Sequence, residues 1–245
     1  MATRASRARA LQSERLFYFS MATAILATIF AGFAPSFYLR GVLTPYAPML
    51  PMSPLVLLHG LLFTGWVTLF AVQAGLISAG RTDLHRKLGV IGFFMVAAMV
   101  VVGTLAALHG VARHSGPPDL PPLVWLAVPL VDVPVFGGLI GAALYNRRRP
   151  QTHKRLMLIA TIGMLMPATG RLPWPPSVPF PLVILLTYGL FLTPIILWDI
   201  ASTGRVQRAT IGGSAYLLGS WALRLAVWQT AGWLAFAGWA ASLVN

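Results

Sequence analysis

Four of the five histidines fall near the ends of long apolar stretches and form two pairs on opposite sides. His59 and His109 lie toward one side, and His85 and His153 each begin a stretch at the other side. Neutral imidazole is a standard axial ligand of haem iron, and an electron path across a membrane needs one bis-histidine site near each face. The pattern predicts an outer site of His59 and His109 and an inner site of His85 and His153, with haem b as the candidate cofactor.

A second interpretation of these histidines needs no cofactor. His85 and His153 are each followed by two basic residues, so they can belong to a rim that contacts lipid headgroups. His59 precedes Gly60 and can donate a hydrogen bond to a neighbouring helix. The inner histidines also occupy matching places in two similar turns, Arg81–Leu88 and Arg149–Leu156. A duplicated hairpin would produce this similarity, and so would a shared need for basic residues at a helix start.

Asp132 and Arg224 are charged residues in the interior of apolar stretches. By the helical rise per residue, both are expected near the midplane of a membrane, where an unpaired charge is costly, so we expect the two side chains to meet. The pair is either a static clasp between helices or a proton-linked group of a transporter. Pro129 and Pro134 flank Asp132 and free backbone carbonyls where a ligand could bind.

Two further polar residues fall within the stretches. Gln73 is expected to make a hydrogen bond between helices or a binding contact, and Asp199 is expected to pair with Arg205 or Arg208. No metal site apart from haem is predicted, because Asp132 and Asp199 are the only acidic side chains in these segments. Cysteine is absent, which excludes disulfides, iron–sulfur clusters and thiolate metal sites.

Long apolar stretches must position these residues, since 57% of the chain is hydrophobic and only 9% is charged. A helix needs about 20 apolar residues to cross a bilayer. The sequence therefore predicts an all-α bundle of seven transmembrane helices in a single domain over residues 16–245, after a basic cytoplasmic segment over residues 1–15. The seven predicted spans are Leu16–Tyr38, Met52–Ser78, Leu88–Val111, Pro122–Asn146, Leu156–Leu172, Pro181–Ala201 and Ile211–Leu234.

The basic residues predict the orientation of this bundle. Of the 18 lysines and arginines, 14 fall on the side of the N-terminus and three on the other side, while Arg224 lies within the last span. The positive-inside rule then places the N-terminus in the cytoplasm, and we expect a multi-pass protein of a bacterial inner membrane. Because the charge is spread over short loops beside the spans, the expected partners are the lipid bilayer and anionic headgroups, and nucleic acid is not expected.

One series of motifs is shared with other sequences. It comprises His59-Gly60, then Trp66 and Gln73, the segment from His85 to Gly89, and the segment from His153 to Met157. In this respect the chain resembles uncharacterised bacterial multi-pass membrane proteins, and it has a short similarity to di-haem transmembrane b-type cytochromes. The resemblance implies the membrane topology and the candidate sites, and it implies no particular activity.

Three functions remain open at this point. The first is a membrane-embedded redox or ligand-binding protein that uses the paired histidines. The second is a small proton-coupled transporter that uses Asp132 and Arg224. The third is a non-catalytic accessory subunit, held in a homodimer or a membrane complex, whose polar residues only join helices. Hydrolase and ATPase functions lose support because no phosphate-binding loop or nucleophile motif is present.

Overall fold

The computed structural model describes residues 4–45 and 49–244, and this part of the chain is helical with no strands. A first helix continues into a π-helical turn over Ala34–Tyr38. The helices are α1 Arg4–Phe33, α2 Pro54–Ser78, α3 Thr82–Ala112, α4 Pro122–Trp125, α5 Ala127–Tyr145, α6 Pro150–Ile162, α7 Met166–Thr169, α8 Phe180–Thr203, α9 Arg208–Val227 and α10 Ala231–Ser242.

Local sequence explains where several helices begin and end. Ser53 caps α2 by accepting a hydrogen bond from the backbone N–H of Val56, and Pro54 occupies the first turn, as the sequence predicts. Gly204 ends α8 in a left-handed conformation. Helix α3 starts at Thr82, and Asp83 in its first turn accepts hydrogen bonds from the side chain of Arg81.

Five of the described helical segments are long and apolar enough to cross a membrane. They correspond to the predicted first, second, third, fourth and sixth spans to within two residues or contain them, with the fourth made of α4 and α5 together. The predicted basic segment before the first span is not separate in the described residues, since α1 is continuous from Arg4. These lengths and compositions support a membrane protein.

The fifth and seventh predicted spans have the wrong boundaries. Leu156–Leu172 is instead the short helix α6, which begins at Pro150, followed by a break and α7. Ile211–Leu234 ends early, because α9 stops at Val227 and Thr230 caps a new helix, α10. Arg224 therefore lies in the last turn of α9, and its expected depth near the midplane of a membrane stays a prediction.

The starts of α1, α3, α6 and α9 share one end of the bundle with the ends of α2, α5 and α8. Polar contacts connect these helix ends to one another. Many of the lysines and arginines lie near these ends, so we call this the basic end of the bundle. The loops between α1 and α2, α3 and α4, and α7 and α8 lie at the opposite end.

The broken segment α6–α7 lies at the centre of the bundle. Almost every residue from Arg155 to Ile162 is buried, as are most residues of α7. Gly32 of α1 packs so closely on α7 that a Cβ atom there would overlap the backbone of Ala168. Helices α1, α5, α8 and α9 pack on this segment, so the side chains of α6 can reach several helices at the basic end.

Candidate functional site

His85 and His153 both lie at the basic end, each in the first turn or so of its helix. His153 Nδ1 lies 2.9 Å from the carbonyl oxygen of Ala143 at the end of α5. A carbonyl only accepts, so Nδ1 is the protonated nitrogen and the lone pair of the neutral ring is on Nε2. No hydrogen bond among the described residues uses Nε2 of either ring.

Gln73 joins this pair from α2. Its side-chain Nε2 donates to the backbone oxygen of His85 at 3.1 Å, so the expected hydrogen bond between helices is present. Gln73 Oε1 and His85 Nδ1 are both buried without a hydrogen-bond partner in the described structure. Buried polar atoms are nearly always paired, and unpaired ones mark strain or a site that a ligand completes. The inner histidines therefore lie beside unused polar atoms.

Three consecutive residues at the start of α6 contact three different parts of the bundle. His153 reaches α5, the ammonium group of Lys154 pairs with Glu14 at 2.6 Å, and Arg155 pairs with Asp199 of α8. Lys154 also lies over the ring of Tyr18. Both basic residues that follow His153 thus have acidic partners inside the protein, and contact of His153 with lipid headgroups stays a prediction.

Arg155 and Asp199 form a buried ion pair that sequence reasoning did not identify. The exposed fraction of the side chain is 1% for Arg155 and 0% for Asp199. Arg155 Nε donates to Asp199 Oδ1 at 2.8 Å, and Asp199 Oδ2 accepts from the hydroxyl of Thr210 at 2.6 Å and from the backbone of Gln207. The expected pairing of Asp199 with Arg205 or Arg208 is wrong.

The outer histidines are not joined by any contact among the described residues. His59 stacks on Phe63 with 4.1 Å between ring centroids, and its Nδ1 is buried without a partner. His109 lies in the last turn of α3, where its carbonyl accepts a hydrogen bond from Arg113. A shared site of His59 and His109 stays a prediction.

Asp132 and Arg224 meet in the bundle, as expected. Arg224 Nη1 donates to Asp132 Oδ1 at 2.6 Å, and Nη2 donates to the hydroxyl of Ser220 at 2.9 Å. The guanidinium lies 4.3 Å from the centre of the Trp221 ring, a cation–π contact. The arginine side chain is 1% exposed and the aspartate side chain is 24% exposed, so part of the aspartate reaches the surface of the protein and the guanidinium does not.

A series of polar contacts leads from Trp221, beside this pair, to the break between α6 and α7. Trp221 Nε1 donates to the hydroxyl of Tyr188 at 2.8 Å, and that hydroxyl donates to the carbonyl oxygen of Gly163 at 3.4 Å. Gly163 directly follows α6, so the helix has no further backbone N–H to donate to the Gly163 carbonyl oxygen. The side chain of Tyr188 thus replaces a backbone hydrogen bond that the break removes.

Comparisons with other proteins do not assign these sites. No protein family matches the chain, and neither a curated protein nor a solved structure matches it. Within residues 4–45 and 49–244, no group of three or more histidine and acidic side chains is arranged to hold a metal ion. The resemblance to multi-pass membrane proteins that is based on the histidine motifs stays a prediction.

Proposed function

We propose that this chain is a membrane-embedded redox or ligand-binding protein whose ligand is held by His85 and His153 at the cytoplasmic end of the bundle. The candidate ligand is haem b, whose iron the two imidazoles would bind. The observation that carries the proposal is the position of both rings at the same end of the bundle, with Nδ1 of His153 fixed by Ala143 and Nδ1 of His85 buried without a hydrogen-bond partner. A ring nitrogen bonded to a carbonyl orients the other nitrogen toward a metal in many metal sites.

The absorption spectrum of the purified protein tests this proposal. Protein produced in cells supplied with a haem precursor should show a Soret band and an α-band that sharpens on dithionite addition. His85→Ala and His153→Ala should each abolish these bands, and His114→Ala, in a loop at the opposite end, should keep them. A colourless protein without bound iron would exclude haem at this site.

The same spectrum addresses the outer histidines. If His59 and His109 hold a second haem, His59→Ala should remove a part of the α-band and leave the part that depends on His153. A spectrum that His59→Ala does not change would limit the cofactor to the inner site.

We also propose seven crossings with the N-terminus in the cytoplasm of a bacterium and the protein in its inner membrane. In this arrangement α6–α7 and α9 cross the membrane together with the five long apolar segments. The absence of cysteine permits a direct test, since each introduced thiol is the only one in the chain. In intact cells an impermeant maleimide should label Ser177→Cys and should not label Ser13→Cys or Ser202→Cys. The reverse pattern would refute the orientation.

A proton-coupled transporter is the second candidate function. The Asp132 side chain is partly exposed beside a buried Arg224. This favours a transporter, because a proton can reach the carboxyl group of Asp132 while the guanidinium of Arg224 stays enclosed. A carrier also needs movable helices, and the break between α6 and α7 lies two hydrogen bonds away from Trp221. The test is whether Asp132→Asn folds normally and loses proton-linked uptake.

A further inference from the structure

Asp119 differs from the other acidic residues of the chain. The sequence contains five aspartates and glutamates against 18 lysines and arginines, and all five acids lie in the described residues. Asp119 is the one for which the described structure gives no basic partner. The other four form the pairs Glu14–Lys154, Arg81–Asp83, Asp132–Arg224 and Arg155–Asp199. In so basic a protein, an acid without a basic partner is a distinct local feature.

Asp119 lines an apolar cleft at the end of the bundle opposite the basic end. The cleft has a volume of about 370 Å³, within the range of small-molecule sites. It lies between the loop after α3, the start of α8 and the end of α9. The residues that line it with Asp119 include Leu120, Phe180, Pro181, Leu225 and Trp228. Asp119 also lines an adjoining cavity formed by the loop itself.

The chemistry of this lining favours a large organic cation. Phe180 and Trp228 supply aromatic faces, which attract a cation through their quadrupoles, and Asp119 is the only charged residue in the lining. An inorganic ion would lose its water against apolar walls, whereas an organic cation with a delocalised charge gains from burying its apolar groups. We infer that this cleft binds a lipophilic organic cation, with the carboxylate of Asp119 as its counter-ion.

The position of the cleft relates it to the buried pair deeper in the bundle. Leu225 follows Arg224 in the last turn of α9 and Trp228 caps the end of that helix, and the Phe180 ring packs on Trp221 at a centroid distance of 6.1 Å. Phe180 thus lies between the cleft and the hydrogen-bonded side chains of Trp221 and Tyr188. The inference does not depend on the histidine site, which lies at the other end of the molecule. If the proposed orientation holds, the cleft faces the outside of the cell.

Two probes of nearly equal size and opposite charge test the inference. The whole protein in lipid nanodiscs is titrated with radiolabelled tetraphenylphosphonium and, separately, with tetraphenylborate, and binding to empty nanodiscs is subtracted. We expect saturable binding of the cation and no saturable binding of the anion. Equal saturable binding of both, or none of the cation, would overturn the inference.

Three variants locate the bound cation. Asp119→Asn should weaken tetraphenylphosphonium binding about tenfold or more, as loss of a charge-assisted contact does. Trp228→Ala should also weaken binding, and the matched control Asp83→Asn, which changes an exposed acid at the basic end, should not. Unfolding curves and elution profiles confirm that the variants fold. Unchanged affinity in Asp119→Asn, or an equal loss in Asp83→Asn, would show that net charge or lipid, rather than this cleft, holds the cation.

Discussion

Arg155 and Asp199 form an ion pair that is closed to solvent on both sides and joins three helices. The guanidinium donates to one carboxylate oxygen from Nε and from Nη2, while the second oxygen accepts from Thr210 and from the backbone of Gln207. Arg155 Nη1 also donates to the backbone of Gln151. Every side of the carboxylate is therefore in use, and α6, α8 and α9 are held in one arrangement at the basic end.

Removing one member of this pair should destabilise the protein strongly. Asp199→Asn or Arg155→Met leaves a buried charge without its partner, which costs about 3–5 kcal/mol. The double variant Arg155→Met/Asp199→Leu removes both charges and should recover much of this loss. Unfolding in detergent, followed by circular dichroism as denaturant is added, measures the free energies.

The exposed pair of Arg81 and Asp83 is the control for this comparison. Both side chains are more than half exposed, and water screens their attraction, so Asp83→Asn should leave the unfolding midpoint unchanged. If Asp199→Asn has as small an effect as Asp83→Asn, the buried pair does not join the helices as described.

Sequence patterns predicted the apolar framework well. The cap at Ser53 and the five long apolar segments follow from local rules that depend on neighbouring residues alone. The contact of Asp132 with Arg224 was also predictable, because two isolated opposite charges in apolar helices have few other partners.

The pair of Arg155 and Asp199 was not predictable in the same way. Arg155 belongs to a run of basic residues that is typical of a cytoplasmic loop, and Arg205 and Arg208 are nearer to Asp199 along the chain. The broken segment α6–α7 is the physical reason for the difference. Because other helices enclose it, its polar residues meet protein partners and not headgroups, and composition alone does not reveal that enclosure.

Asp132 and Arg224 should behave differently under the two functions that involve them. If the pair is a static clasp, Asp132→Asn and Arg224→Gln should each lower the free energy of unfolding, and the double variant should lose less than the sum of the two. If the pair transports protons, the single variants should fold with little loss and lack activity. The double-mutant cycle of unfolding free energies separates these cases, and full additivity would contradict the clasp.

Gly32 should tolerate no side chain. A Cβ atom there would overlap the backbone of Ala168, and backbone atoms cannot move aside as a flexible side chain can. Gly32→Ala should therefore destabilise the protein by about 1–3 kcal/mol, the usual cost of overpacking. Gly212→Ala is the control, because no atom lies within 4 Å of the added Cβ atom, and it should be neutral or slightly stabilising in the same unfolding experiment. Equal stability of both variants would mean that α1 and α7 pack less closely.

Tyr188 should be coupled to Trp221 through their shared hydroxyl. Tyr188→Phe removes both the acceptor for Trp221 Nε1 and the donor to Gly163, and each buried group left without a partner costs about 1–3 kcal/mol. Trp221→Phe removes the indole N–H that Tyr188→Phe leaves without an acceptor. Trp221→Phe should therefore cost less free energy of unfolding in the Tyr188→Phe variant than in the natural protein. A cycle of the four unfolding free energies measures this coupling. Purely additive losses would indicate that the hydroxyl does not link α9 to the break in the central helix.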